Sequence, residues 1–212
     1  MTTSPAVERY LRESRPAPDG VLAEMERHGD RDGIPIVVPE TGEALRVLTR
    51  AIGARRVVEV GTAIGVSTLQ IARSLPDGGV IVSFEVDGER HRAARGYLER
   101  AGVAARADLR LMDAGEGLAA LEHGVYDMAF LDGLKGDYPR HLDLALPLLR
   151  GGGVVAVDNA LLSGTVAGED GRWERQAVET MRSFNRRVLS DPALDAALLP
   201  VGDGLLVAVK LG

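Results

Sequence analysis

Arg56-Val57-Val58-Glu59-Val60-Gly61-Thr62-Ala63-Ile64-Gly65-Val66-Ser67 is the stretch on which the fold turns. Its opening run is apolar and β-branched apart from Glu59, the pattern of a strand covered on both faces. Glycines at 61 and 65 interrupt it, and a helical segment, Ser67–Ser74, follows. Strand, glycine turn and helix in that order form the repeating unit of open parallel sheets, whose ligands bind at such turns. The turn is not G-x-G-x-x-G, because Ala63 and Val66 stand where the second and third glycines belong, and no Gly-Lys-Ser/Thr follows. What remains is a loop that lets a ligand approach Gly61 without a pyrophosphate cradle.

Outward from this unit the same alternation continues. Val80–Glu85, Leu109–Met112, Met128–Leu131 and Val154–Val157 read as buried strands, separated by helices at about 89–100, 116–121 and 138–149. A last helix, about 172–189, precedes two short runs, Ala197–Leu199 and Leu205–Val209, close enough around Gly202-Asp203-Gly204 to pair as an antiparallel hairpin. The fold class is therefore α/β, a mostly parallel, doubly wound, Rossmann-like sheet with a C-terminal hairpin. Upstream, 40–52 reads as a helix stopped by Gly53, and 5–30 as one or two helices around the Pro16–Gly20 break. The whole chain, 1–212, is expected to form one domain, with 1–38 as a helical arm that serves as lid or dimer contact or packs on the body.

Composition narrows the function classes. A net charge of −6 with scattered Lys and Arg offers no basic stripe for nucleic acid. No cysteine is present, which removes disulfides, thiolate metal sites and cysteine nucleophiles and is compatible with a reducing cytoplasm. No apolar run reaches membrane-spanning length and no signal-peptide core opens the chain, so a cytoplasmic protein with a small-molecule partner is expected.

Acidic residues recur at the ends of the strands. Glu85 ends the second, where an acid in this fold class takes ribose hydroxyls. Asp113 follows the third, on the adenine side, and Glu59 is placed to support the loop or the cationic part of a ligand. Asp132 follows the fourth strand and Asp158-Asn159 the fifth. If those strands are neighbours they lie about 5 Å apart and the three side chains converge. Two carboxylates and an amide suit a hard divalent ion such as Mg²⁺ or Ca²⁺ rather than zinc. Lys135, three residues beyond Asp132, would lie over that ion and take a proton. The four histidines show no ligand spacing; His141 alone is near the site in sequence. Trp173 is a candidate to stack on an aromatic acceptor or to cap the domain, and Arg172 and Arg175 to meet an acidic one.

These residues resemble the cation-dependent O-methyltransferases, the catechol and caffeoyl-CoA O-methyltransferases and their bacterial relatives. The likeness runs from about Val38 to Val209. It rests on Glu59–Ser67, Phe84-Glu85-Val86-Asp87, Asp132-x-x-Lys135-x-x-Tyr138, Gly151–Gly153 with Val157-Asp158-Asn159, and Leu199–Gly204. The resemblance implies S-adenosylmethionine as cofactor, with Glu85 on its ribose, Gly61 and Ser67 at its amino-acid end, Asp113 and Ala114 flanking the adenine, and Glu59 and Asp132 completing its contacts. It implies Mg²⁺, Ca²⁺ or Mn²⁺ on Asp132, Asp158 and Asn159, Lys135 as general base, a catechol-like phenolic acceptor, and a homodimer. Many relatives carry an acid where this chain has Leu134, and a tryptophan in the loop after Asn159, here Ala160-Leu161-Leu162-Ser163-Gly164; both departures bear on the acceptor. Two other readings stay open. A nicotinamide-dependent oxidoreductase would share the sheet but lacks the three-glycine fingerprint, and an inactive relative would have no chemical need for the ligand set or Lys135.

Overall fold

In the computed structural model, which describes residues 5–169, 171 and 173–212, β1 (Arg56–Val60) lies near the middle of a seven-stranded sheet. On one side it pairs in parallel with β2 (Val80–Glu85), which pairs with β3 (Ala107–Leu111). On the other side it pairs with β4 (Tyr126–Leu131), which pairs with β5 (Leu149–Val157), both again parallel. The hairpin of β6 (Leu194–Leu199) and β7 (Leu205–Lys210) closes the sheet, β7 running antiparallel to β5. The order β3-β2-β1-β4-β5-β7-β6 reverses direction between β1 and β4. Chains in such sheets leave a crevice at that reversal, outside the carboxyl ends of the strands.

Helices cover both faces. α2 (Gly20–Asp32), α3 (Pro39–Ala51), α4 (Val66–Ala72) and α5 (Gly88–Arg100) bury Met25, Leu45, Leu69 and Leu98 against Val57, Ile81 and Met128. On the opposite face α6 (Ala114–Ala119), α7 (Tyr138–Leu148) and α8 (Arg175–Ser190) bury Leu118, Leu142 and Phe184 against Val58, Leu131 and Val155. Consecutive residues of one strand thus feed two cores, which is why β1 reads as a nearly unbroken apolar run. Among the described residues no helix is long and apolar enough to cross a membrane.

The differences from the sequence reading lie mainly in where strands begin. β3 starts at Ala107 rather than Leu109 and β6 at Leu194 rather than Ala197. Both are flanking strands whose solvent-facing positions hold Asp108 and Asp195, so the apolar run begins late although the pairing does not. β5 starts at Leu149, through Gly151–Gly153, and a register shift between Tyr126 and Met128 accommodates the extra length. The last helix begins at Arg175; Arg172 lies outside the described residues. The N-terminal arm divides. α2 packs on the body, with Met25 fully buried, whereas α1 (Pro5–Ser14) leaves Tyr10 and Leu11 exposed.

Candidate active site

The crevice at the strand reversal gathers nearly every residue that the sequence singled out. Register does most of the work: Val60 pairs with Leu131 and Leu131 with Val157, so the residues that follow, Gly61, Asp132 and Asp158, leave three adjacent strands at one level. The Gly61 loop and the Asp132 loop touch. Gly61 has φ +90, and a Cβ built on it would fall 1.7 Å from the carbonyl oxygen of Asp132. Its missing side chain is therefore required by the chain's own backbone, before any ligand arrives. Gly61→Ala is expected to cost about 3 kcal/mol of stability through strain and displacement of the Asp132 loop, measured as a lowered urea midpoint.

Glu59 supports this turn from below. It is completely buried, and its Oε2 accepts from Thr68 Oγ1 at 2.5 Å and Ser83 Oγ at 2.6 Å, tying α4 and β2 to β1. Burial raises its pKa despite those bonds and one from Ser67, and its Oε1 has no partner. Ser67, also buried, lines a small cavity with Gly61, Thr62, Ala63 and Asp132, roofed by Pro35-Ile36-Val37. The stretch joining α2 to α3 thus lies over the glycine turn.

Glu85 is committed to the backbone more than its sequence position implies. Oε2 accepts from the N–H of Ala63 at 2.7 Å, and Oε1 from those of Val86 and Asp87, each at 2.9 Å. A carboxylate has about four acceptor positions, so Oε2 keeps one for a ligand. Asp113 caps α6 by accepting from Glu116 N–H at 3.1 Å, and Arg140 lies 3.8 Å away. Ala114 is buried behind it. Both follow the carboxyl end of β3, at the edge of the sheet.

On the β4–β5 side, Lys135 is the hub. A single 3₁₀ turn, Lys135–Asp137, carries the chain from β4 into α7 and folds the lysine back over the strand ends. Its Nζ donates to Asn159 Oδ1 at 2.6 Å, Tyr138 Oη at 2.7 Å and the Gly133 carbonyl at 2.9 Å, with Asp132 Oδ1 at 3.5 Å. It also lies 4.7 Å from the ring of Tyr138 and 5.7 Å from that of Trp173, so the tryptophan stands beside the site. Asp158 accepts from the Thr41 hydroxyl at 3.4 Å, a contact spanning 117 residues that no local pattern announces. Asp203, from the β6–β7 turn, also faces the cluster, accepting from Asn159 Nδ2 at 3.4 Å.

The electrostatics show an unbalanced charge. Burial and the neighbouring Asp132 carboxylate push Asp158 up to about 7. Burial raises Asp132 against the pull of Lys135, and burial lowers Lys135 against the pull of both acids. Each partner is displaced toward its neutral form, so desolvation outweighs the attraction that one ammonium offers two buried carboxylates. Among the described residues no three acidic or histidine side chains form a metal-binding group. The donor set is instead two carboxylates and the Asn159 amide oxygen, hard oxygens carrying more negative charge than one lysine neutralises, which fits a divalent cation.

Two weaker candidates fall away from the cluster. His141 is buried on α7 with Nδ1 unpartnered and its pKa lowered by burial, its ring near Gly133 rather than among the oxygen ligands. Arg175 is exposed at the start of α8, and Leu134 points outward, 77% exposed.

Comparison with known proteins supplies the context for this arrangement. Residues 19–211 match the family model described as O-methyltransferase. The chain is 36% identical to a putative O-methyltransferase of Mycolicibacterium smegmatis over 193 residues, 91% of each. It is 35% identical to tricin synthase 2 of Oryza sativa subsp. japonica over 82% of this chain, but spans only 62% of the rice protein. An O-methyltransferase from Bacillus cereus, solved in complex with S-adenosylhomocysteine (SAH), superposes with a TM-score of 0.83 at 28% identity, over 97% of both chains.

Proposed function

Because the chain belongs to the O-methyltransferase family, and its Bacillus cereus relative was solved with SAH bound, we propose that this enzyme uses S-adenosylmethionine to methylate one hydroxyl of a catechol-like vicinal diol with the help of a divalent metal held by Asp132, Asp158 and Asn159. The observation that carries the reading is the buried oxygen cluster at the ends of β4 and β5, whose negative charge Lys135 alone does not balance. A bound divalent cation there would supply Lewis acidity, lowering the pKa of a coordinated hydroxyl.

The chain's own groups do the rest. The glycine turn, with Glu59 bracing it, Ser67 and Asp132 beside it and Glu85, Asp113 and Ala114 along its β2–β3 side, would hold the cofactor, whose sulfonium would supply the methyl group. Lys135, its pKa lowered by burial, takes the proton from the attacking hydroxyl. Tyr138 Oη and the Gly133 carbonyl hold its Nζ in place while it does so. The ring of Trp173, 5.7 Å from Lys135 Nζ, is available to stack on an aromatic acceptor. Much of the remaining acceleration would come from holding acceptor and cofactor together in one crevice. The reading extends to a homodimer, for which the exposed Tyr10 and Leu11 of α1 offer apolar surface, and to a cytoplasmic location, which the cysteine-free sequence permits.

The test is turnover of a panel of catechols and matched monophenols, with and without EDTA. Catechols are expected to be methylated, with activity falling at least about tenfold in EDTA and returning on addition of Mg²⁺. Activity that survives complete chelation removes the metal from the mechanism, and equal turnover of monophenols removes the diol.

A further inference from the structure

The hairpin tip Val201-Gly202-Asp203-Gly204 belongs to the motif that marks the family resemblance, yet the proposed mechanism gives it no task. We infer that Asp203 is a positioning residue for the metal centre, holding the Asn159 amide so that its oxygen rather than its nitrogen faces Asp132 and Lys135. The inference rests on the metal reading under the proposed function.

A primary amide has a donor side and an acceptor side, and its neighbours decide which faces where. Asn159 Nδ2 donates to Asp203 Oδ2 at 3.4 Å while its Oδ1 accepts from Lys135 Nζ at 2.6 Å. A carboxylate is purely an acceptor, so it fixes the nitrogen outward and leaves Oδ1 inward. Asp203 is itself held: Ser163 Oγ donates to its Oδ1 at 2.7 Å, leaving Oδ2 for the amide.

The backbone supports the same arrangement. Asn159 has φ +57, a left-handed conformation that asparagine tolerates better than most residues. The chain just beyond it is pinned to the hairpin tip, with Ala160 N–H donating to Gly204 O at 2.8 Å and Leu161 N–H to Asp203 O at 2.9 Å. The tip can come this close because it lacks side chains on either side of Asp203. A Cβ on Gly202 would lie 2.5 Å from Thr41 Oγ1, the hydroxyl that bonds Asp158, and one on Gly204 would lie 2.5 Å from Leu161 N. One turn therefore presses on the groups that orient both Asp158 and Asn159, and removing such outer partners typically costs about 10–100-fold in metal affinity.

The experiment titrates Mn²⁺ into the 212-residue chain and, separately, SAH, reading both by calorimetry for the parent, Asp203→Ala, Asp203→Asn, Ser163→Ala and Asp158→Ala. Asp203→Ala is expected to weaken Mn²⁺ binding about 10–100-fold with SAH affinity unchanged. Asp203→Asn, isosteric and able to present an oxygen, recovers part of the loss, and Ser163→Ala shows a smaller weakening in the same direction. Should Asp203→Ala not fold, a partial weakening in Asp203→Asn supports the inference in its place. Mn²⁺ binding that is equal in parent and Asp203 variants overturns the inference while leaving the metal reading intact. A loss as complete as that of Asp158→Ala overturns it in favour of direct ligation by Asp203. A parent that binds SAH but not Mn²⁺ overturns the metal reading and this inference together.

Discussion

Asp158→Ala is expected to lower kcat/KM for a catechol about a thousandfold while leaving SAH affinity within about threefold of the parent, roughly 4 kcal/mol of transition-state stabilisation lost at one end of the crevice. The separation of effects follows from position. Asp158 leaves β5, one strand beyond β4, whereas the glycine turn and Glu85 leave β1 and β2 on the other side. Asp158→Asn sharpens the test, because it keeps an acceptor for the Thr41 hydroxyl but removes a buried charge. The folded state raises this carboxyl from 3.8 to about 7, so in the metal-free protein the ionised group opposes folding, increasingly as pH rises from about 4 to 7 and fully above that. Asp158→Asn should therefore raise the metal-free Tm at pH 8, by about 2–4 °C per kcal/mol relieved, and give no gain near pH 4. A variant that is less stable at pH 8, or that keeps its activity, contradicts the account of Asp158 as a charge retained for function at the expense of stability.

The sequence disclosed the elements that two periodicities write plainly. β1 and β2 lie in the middle of the sheet with both faces covered, so their apolar runs end where their pairing ends. Asp132 and Asp158-Asn159 were legible as a convergent set because each directly follows such a run. The apolar runs of β3 and β6 are shorter than the strands, since solvent-facing residues such as Asp108 and Asp195 interrupt the pattern while the backbone pairing goes on, and Gly151–Gly153 hide the start of β5. Position also misstates the work of a residue. Glu85 ends β2 as a ribose-binding acid would, yet three backbone N–H groups already engage it.

What the sequence could not disclose is contact between distant segments. Thr41 reaches Asp158 across 117 residues and Asp203 reaches Asn159 across 44. Each hydroxyl or carboxylate looks ordinary where it stands in the chain. Gly61 is the intermediate case: its position in the turn announced a close approach, but not that the approaching group is the Asp132 carbonyl rather than a ligand. The crevice is thus assembled from a legible frame of strand ends and an illegible set of braces, and the braces determine which way the legible side chains face.

The second large effect is expected at Lys135, where two substitutions divide charge from proton transfer. Lys135→Met removes both the ammonium and the base, and kcat is expected to fall about 10²–10⁴-fold, the usual contribution of a positioned acid or base. Lys135→Arg keeps a cation beside Asp132 and Asn159 but supplies a group that stays protonated, so a base role predicts almost no recovery. Recovery to within about tenfold of the parent would instead assign Lys135 an electrostatic task, balancing the carboxylates that burial has raised. The pH profile separates the same alternatives. Burial lowers the pKa of Lys135, so in the parent kcat should rise with pH as the ammonium loses its proton, and this limb should reach its plateau below the ordinary lysine range. In Lys135→Met the limb should vanish, leaving a rate that follows only ionisation of the acceptor hydroxyl. A limb that persists unchanged in Lys135→Met would mean that the proton leaves by another route, with Tyr138, Lys135 and Asn159 forming a structural clasp at the end of β5 rather than a path for the proton.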